Sequence, residues 1–259
     1  IISGGGVFYS EAMDELGAFA EKHNIPVTQT VMGYSTMKRD HSHFLGPIGG
    51  LGGKAANNLA KQTDLAIAIG TKLGDFTTGS WANFENPNFS LVSINVTRFD
   101  ANKHMAQSVV GDAKVSLTEL SESLGDWKAP EDWHNKSRDE LKSWNEYVDK
   151  ESGPTNQELP SYAHAVGAIY RSSDPTDIAV TAAGGLVGEV VQVWRPRELN
   201  THETEWGFSC MGYEISGALG IKMANPDKDV IVFVGDGSYL LNNSDIYSSV
   251  ITNNKLIII

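Results

Sequence analysis

Short apolar runs alternate along this chain with stretches in which apolar residues recur at helical spacing. The runs are typical of buried strands in a parallel sheet, and they occur in IISGGG, IPVTQT, DLAIAIGT, FSLVSINV, DIAVTAAGG, DVIVFVGDG and KLIII. The helical stretches include SEAMDELGAFAEKHN, SYAHAVGAIYR and MGYEISGALGIKMAN. Strands that alternate with helices predict an α/β fold with parallel sheets and right-handed crossovers.

This alternation stops between residues 126 and 154. The segment APEDWHNKSRDELKSWNEYVDKESGP is polar, has no strand pattern and is predicted to be helical. We therefore predict two doubly wound parallel-sheet domains, residues 1–125 and 155–259, joined by a helical linker over residues 126–154. Two further stretches, HSHFLGPIGGLGGKAANNLAKQ and WRPRELNTHETEWG, are predicted to be loops.

Both ends of the sequence lie inside or beside a predicted strand. The chain opens on IISGGG without a methionine and closes on KLIII. This pattern predicts a fragment of a longer protein, in which the second domain is interrupted before its C-terminus.

Composition narrows the class of partner. The formal net charge is -12 and no basic patch offsets it, which argues against nucleic acid or an anionic membrane as a partner. No apolar run approaches the roughly 18 residues of a membrane span. The single cysteine, Cys210, excludes an internal disulfide and suits a reducing cytoplasm.

The glycine-rich stretch GPIGGLGGKAA is one candidate for a phosphate site. It fails the Walker pattern, because Ile48 stands where a glycine is needed and Ala55 follows Lys54. Gly50, Gly52 and Ala55 fit a loose dinucleotide fingerprint, but no predicted strand directly precedes them. A loop packed closely on a sheet is the favoured interpretation.

A second candidate is GDGS, which follows the apolar run Val230–Val234. Asp236 falls where the predicted strand ends, and a carboxylate there is a suitable Mg²⁺ ligand. Gly235 and Gly237 would let the backbone approach a diphosphate, and Ser238 adds a hydroxyl and an amide. Taken alone, an aspartate that caps a turn is the better interpretation of GDG.

The stretch EWGFSCMGYEISGALGIKMANPDKDVIVFVGDGSYLLNN resembles the cofactor-binding domain of thiamine diphosphate enzymes of the acetolactate synthase group. The resemblance covers the whole chain, with residues 1–125 similar to the middle domain of the group. DFTTGSW, INVTRFDANKH, TAAGGLVGE and SCMGYEISGALG are most similar to the members that hydrolyse a cyclic diketone to 5-deoxyglucuronate in inositol catabolism. The resemblance implies thiamine diphosphate and Mg²⁺ as cofactors.

The resemblance also implies roles for individual residues. Asp236 would bind Mg²⁺, Met211 would wedge beneath the cofactor and force its bent form, and the Ser209 carbonyl would accept a hydrogen bond from the aminopyrimidine. Cys210 is expected to be a small packed residue beside the cofactor and not a nucleophile. The implied cofactor-binding residues are Ser209, Cys210, Met211, Gly235, Asp236, Gly237 and Ser238.

Two parts of the family's site have no counterpart in this sequence. The second metal ligand is the first of two asparagines one helix and one strand beyond GDG, and neither Asn242-Asn243 nor Asn253-Asn254 has that position, so we expect it beyond Ile259. The glutamate that activates the cofactor belongs to an N-terminal pyrimidine-binding domain and acts across a subunit interface. Residues 1–259 alone are therefore expected to be inactive, within a cytoplasmic protein that forms a homo-dimer or homo-tetramer.

Two other functions are also compatible with this sequence. One is a carboligase of the acetolactate synthase or sulfoacetaldehyde type. Another is a nucleotide-binding module without catalysis, since the middle domain of such proteins sometimes carries flavin or adenosine diphosphate. Trp194 and Arg195 are weaker candidates to border a substrate pocket. Five histidines show no metal-ligand spacing, namely His41, His43, His104, His164 and His202.

Overall fold

The computed structural model describes residues 1–259, which divide into two compact units, residues 1–148 and 149–259. Each unit contains one sheet, and all strand pairs in both sheets are parallel. The predicted α/β class with two parallel sheets is therefore confirmed. The division falls within one long helix over Glu131–Glu151, and the exact domain and linker boundaries stay a prediction.

Residues 1–148 contain a six-stranded sheet with the order β3-β2-β1-β4-β5-β6. The strands are β1 (Ile2–Ser3), β2 (Val27–Gln29), β3 (Phe44–Pro47), β4 (Leu65–Ile69), β5 (Ser90–Asn95) and β6 (Gln107–Val110). The helices are α1 (Gly5–Tyr9), α2 (Met13–His23), α3 (Lys54–Ala60), α4 (Asp75–Thr78), α5 (Arg98–Ala101), α6 (Ala113–Leu124) and most of α7 (Glu131–Glu151), and 3₁₀ turns lie at Val31–Gly33 and Lys103–Met105. This strand order is that of doubly wound nucleotide-binding folds.

Local chemistry sets the ends of several of these helices. The Asp112 carboxylate caps α6, because it accepts hydrogen bonds from the backbone amides of Lys114 and Val115 at 2.9 and 3.2 Å. Helix α2 ends at His23, and the next residue, Asn24, takes the left-handed conformation (φ 55°) common just beyond helix C-termini. These caps satisfy backbone groups that a helix leaves without partners.

The glycine-rich segment of this unit has a different context from the one predicted. Residues 44–47, expected in a loop, form β3 through pairing with β2, so a strand does precede Gly50, Gly52 and Ala55. Protein atoms nevertheless fill this turn. Gly49 has φ 105°, and a Cβ there would lie 2.0 Å from the Phe76 carbonyl oxygen. The glycine is thus required by close backbone packing.

Residues 149–259 contain a four-stranded sheet with the order β10-β9-β7-β8. Its strands are β7 (Ile178–Thr181), β8 (His202–Thr204), β9 (Val230–Val232) and β10 (Ile257–Ile258). Its helices are α8 (Tyr162–Ser172), α9 (Leu186–Val193), α10 (Tyr213–Ala224), α11 (Asp236–Asn242) and α12 (Ser244–Ile251). Residues of β7, β9 and α10 form its core, namely Ile178, Val180, Ile215, Ala218, Val230 and Val232. Strand β8 lies in a stretch predicted to be a loop, and its pairing with β7 makes it a strand.

No helix of either unit is both long and apolar enough to cross a membrane.

Burial of His202 in β8 has a consequence for stability at low pH. Desolvation lowers the pKa of its imidazole from 6.5 to about 4. The unfolded chain then binds a proton below pH 6.5 that the folded chain does not, so stability falls as the pH drops through this window. The loss attributable to His202 should reach about 3 kcal/mol near pH 4. Urea unfolding should therefore show that the free energy of unfolding of residues 149–259, measured within the chain, falls more steeply between pH 7 and 4.5 in the wild type than in His202→Asn. Equal pH dependence of the two proteins would contradict this assignment.

Candidate functional site

Three loops of residues 149–259 begin at one edge of the sheet. β7 lies between β9 and β8, and the three strands run parallel. Their carboxyl ends therefore share an edge, which is where open α/β sheets bind ligands. The loops are residues 182–185 after β7, residues 205–212 after β8 and residues 233–235 after β9. This edge is the candidate site.

Asp236 begins helix α11 just beyond the buried strand β9. Its carboxylate is exposed, and Oδ1 accepts a hydrogen bond from the Gly237 amide at 2.8 Å. A Cβ at Gly235 would meet nothing within 4 Å, so the backbone there faces open space, whereas Ser238 is buried. A hard oxygen ligand thus stands beside accessible backbone, as Mg²⁺ and a diphosphate require. The metal-binding role of Asp236 stays a prediction.

The side chain of Met211 reaches this GDG turn. It is 51% exposed, and a Cβ built on Gly237 would lie 2.8 Å from its Cε atom. Glycine at position 237 therefore leaves room for the thioether. The two motifs singled out in the sequence, SCMG and GDGS, meet through this contact.

Side-chain hydrogen bonds hold the loop of residues 205–212. The Glu205 carboxylate accepts from the amides of Phe208 and Cys210 at 2.9 and 2.6 Å. The Ser209 hydroxyl donates to the Ala182 carbonyl at 2.8 Å. Ser209 has φ 54°, an uncommon conformation for a residue with a Cβ. These contacts join the loop after β8 to the loop after β7.

Cys210 differs from its predicted environment. It was expected to be packed, but it is exposed, because it lies in the loop of residues 205–212 and not in the core. Partial desolvation and the Glu205 carboxylate raise the pKa of its thiol. A raised pKa lowers the fraction of thiolate, so the environment disfavours a nucleophilic role.

Glu205→Gln should make Cys210 more reactive. The substitution removes the carboxylate that raises the thiol pKa, so the pH–rate profile for alkylation by iodoacetamide should move to lower pH. Cys210 is the single cysteine of this chain, so all alkylation of the chain at cysteine reports on Cys210. Glu158→Gln, at an exposed position, is the matched control. An unchanged profile in Glu205→Gln would show that Glu205 does not set this pKa.

The weaker pocket candidates have structural contacts. Trp194 is buried in the core, where its ring lies 5.5 Å from that of Tyr170 and 5.9 Å from that of Phe233. Arg195 is also buried and forms an ion pair with Asp149. Both residues lie in the stretch after α9, as predicted, and their role at the border of a substrate pocket stays a prediction.

The described residues contain no group of three or more His, Cys, Asp or Glu that could hold a metal ion by itself. A metal at Asp236 would need oxygen ligands from a bound phosphate, water or other residues.

The chemistry of this edge fits thiamine diphosphate. Asp236 offers a carboxylate for the metal, and built Cβ atoms at Gly184, Gly185 and Gly235 meet nothing within 4 Å, so two neighbouring loops offer open backbone. Met211 offers an exposed thioether for an apolar ring. Residues 182–185 were not predicted as part of the site, although GG after the apolar run DIAVTA is the same kind of signal as GDG after VIVFV.

Two family profiles match the chain. Residues 1–120 match the central domain of thiamine pyrophosphate enzymes, and residues 182–259 match their C-terminal TPP binding domain. The second match contains all three loops of the candidate edge.

Curated relatives match along the whole chain. Several are named 3D-(3,5/4)-trihydroxycyclohexane-1,2-dione hydrolase. The protein of that name from Geobacillus thermodenitrificans is 38% identical to this chain, over 100% of this chain and 44% of the relative. The one from Bacillus anthracis is 37% identical, over 99% of this chain and 44% of the relative. The protein of that name from Clostridium botulinum is 38% identical over 99% of this chain and 43% of the relative. The chain thus spans less than half the length of these relatives. Together with the two profiles, the relatives show that this chain belongs to the thiamine pyrophosphate enzymes and contains their central and C-terminal domains.

Proposed function

We propose that the whole protein containing this chain is a thiamine diphosphate- and Mg²⁺-dependent hydrolase that cleaves a carbon-carbon bond of a cyclic diketone. The contact between Met211 and Gly237 supports the cofactor assignment most directly, because it joins the two motifs that such a site requires. The substrate class follows the name of the relatives, which are trihydroxycyclohexane-1,2-dione hydrolases. We propose inositol degradation as the pathway because DFTTGSW, INVTRFDANKH, TAAGGLVGE and SCMGYEISGALG resemble the inositol-catabolic members of the group.

The residues of this chain would bind and orient the cofactor and its metal ion. The Asp236 carboxylate would hold Mg²⁺, and the backbone at Gly235 and Gly237 together with Ser238 would bind the diphosphate. Met211 would support the ring and the bent form of the cofactor, and the Ser209 carbonyl would accept a hydrogen bond from the aminopyrimidine. Bound thiamine diphosphate supplies an electron sink for cleavage of a bond beside a carbonyl.

The test is turnover by the whole protein with Mg²⁺ and thiamine diphosphate. We expect loss of trihydroxycyclohexane-1,2-dione, and loss of that activity when the cofactor is omitted or the metal is chelated. Pyruvate is the comparison substrate: condensation of pyruvate without diketone cleavage would favour the acetolactate synthase-like alternative. Binding of an adenine nucleotide with no binding of thiamine diphosphate would favour the non-catalytic module.

A further inference from the structure

Glu214 is a completely buried carboxylate beside the candidate site. It is the second residue of α10, and 0% of its surface is exposed. Oε2 accepts a hydrogen bond from the Gly212 amide at 2.9 Å, and Oε1 accepts one from the Ala183 amide at 3.1 Å. One side chain therefore joins the loop of residues 205–212 to the loop of residues 182–185.

Burial of a carboxylate at position 214 is energetically unfavourable. Taking a charge out of water is unfavourable, and an apolar residue would fill the space without that cost. The next residue, Ile215, is apolar and belongs to the core cluster, as Ala218 does one turn later. The partners of Glu214 are two backbone amides, and hydrogen bonds to an ionised acceptor are stronger than neutral ones. The acid is thus suited to hold two amides in place and is poorly suited to simple packing.

Carboxylates hold a backbone amide on each side of Met211. The Gly212 amide belongs to the peptide that follows Met211, and the Cys210 amide on the other side is held by Glu205. Gly212 itself has φ 96°, so the chain bends sharply between Met211 and α10. The path of the Met211 backbone therefore depends on a carboxylate at each side.

We propose that Glu214 is a positioning residue that fixes Met211 over Gly237 by locking the loop after β8 to the loop after β7. Without it, the hydrogen bond from the Ser209 hydroxyl to the Ala182 carbonyl still joins the two loops, but the Gly212 and Ala183 amides lose their shared acceptor and the thioether loses its fixed place. The inference rests on the proposed function in so far as Met211 supports thiamine diphosphate. The locking of the loops is a property of the chain itself and is measurable without the cofactor.

Glu214→Gln in the whole protein is the sharp test, because it keeps the shape of the side chain. The amide oxygen accepts from one backbone N–H, and the amide NH₂ faces the other, where two donors oppose each other. In cofactor-free protein we expect hydrogen exchange in peptides covering residues 182–186 and 205–213 to accelerate, and Cys210 alkylation to change rate. Affinity for Mg²⁺–thiamine diphosphate and turnover at saturating cofactor should each fall about tenfold. Glu158→Gln, exposed and outside the site, is the control and should match the wild type.

The outcomes separate this inference from the proposed function. Faster exchange in both peptides, with no binding of thiamine diphosphate by either protein, would support the lock and overturn the proposed function. A lowered melting temperature with wild-type exchange in both peptides, and wild-type cofactor affinity and turnover in the folded fraction, would reduce Glu214 to a structural residue and overturn the inference.

Discussion

Asp236→Ala in the whole protein should weaken binding of Mg²⁺–thiamine diphosphate by about 100-fold or more while the fold survives. The substitution removes the one carboxylate that this chain places at the GDG turn, so the diphosphate loses metal-mediated neutralisation. Its cost in stability should be small, because the side chain is exposed and its hydrogen bond is to the adjacent Gly237 amide. Isothermal titration with the cofactor at fixed Mg²⁺ measures the affinity.

Asp227→Ala is the matched control for this experiment. Asp227 is exposed and precedes β9, so it lies toward the amino end of the strand whose carboxyl end leads to Asp236. The control removes the same charge from the same unit and should leave cofactor affinity unchanged. Equal affinities for Asp236→Ala and the wild type would make Asp236 a turn cap, which is the interpretation that GDG favours on its own.

The sequence predicts the strands whose own residues form an apolar run. β4, β7 and β9 come from largely continuous apolar runs and β5 from a run that two serines interrupt, and each was predicted. β3 and β8 were predicted to be loops. β3 consists of FLGP, which includes a glycine and a proline, and β8 consists of HET. Their extended conformation depends on pairing with β2 and β7, and strand propensity is a weak guide when neighbouring strands decide.

Some residues of the candidate site could likewise be predicted from a local sequence pattern, and others could not. The GDG turn is visible in the sequence, because an acid between two glycines follows a buried run. Met211 and Ser209 were predicted through family resemblance alone. Glu214 was missed, because an acid in the first turn of a helix is typically exposed near the positive end of the helix dipole. Its partner amide at Ala183 lies 31 positions away, so no local pattern indicates its burial.

Cys210 shows the limit of residue-type arguments. Small cysteines are usually buried, and the sequence offers no base to activate a thiol. In the structure it is exposed, in a loop whose Phe208 and Cys210 amides donate to the Glu205 carboxylate. Burial here follows the path of the loop and not the apolarity of the side chain.

Met211→Ala should lower turnover of the whole protein by about 100-fold with little loss of stability, because misplacing reacting groups by about 1 Å costs this much. Met211 is 51% exposed, so its packing contributes little to folding, and its Cε atom lies against the GDG turn. Truncation would leave the cofactor ring without support from below. The measurement combines turnover at saturating cofactor, cofactor affinity and melting temperature.

Two variants make this experiment specific. Met223→Ala removes a methionine that is 61% exposed on α10, outside the three loops, and should leave turnover at the wild-type level. Met211→Leu keeps a side chain of similar volume and should retain more activity than Met211→Ala, since a branched apolar group still fills the space beneath the ring. If Met211→Ala instead lowers the melting temperature while the folded fraction turns over at the wild-type rate, Met211 packs the loop and does not hold the cofactor bent.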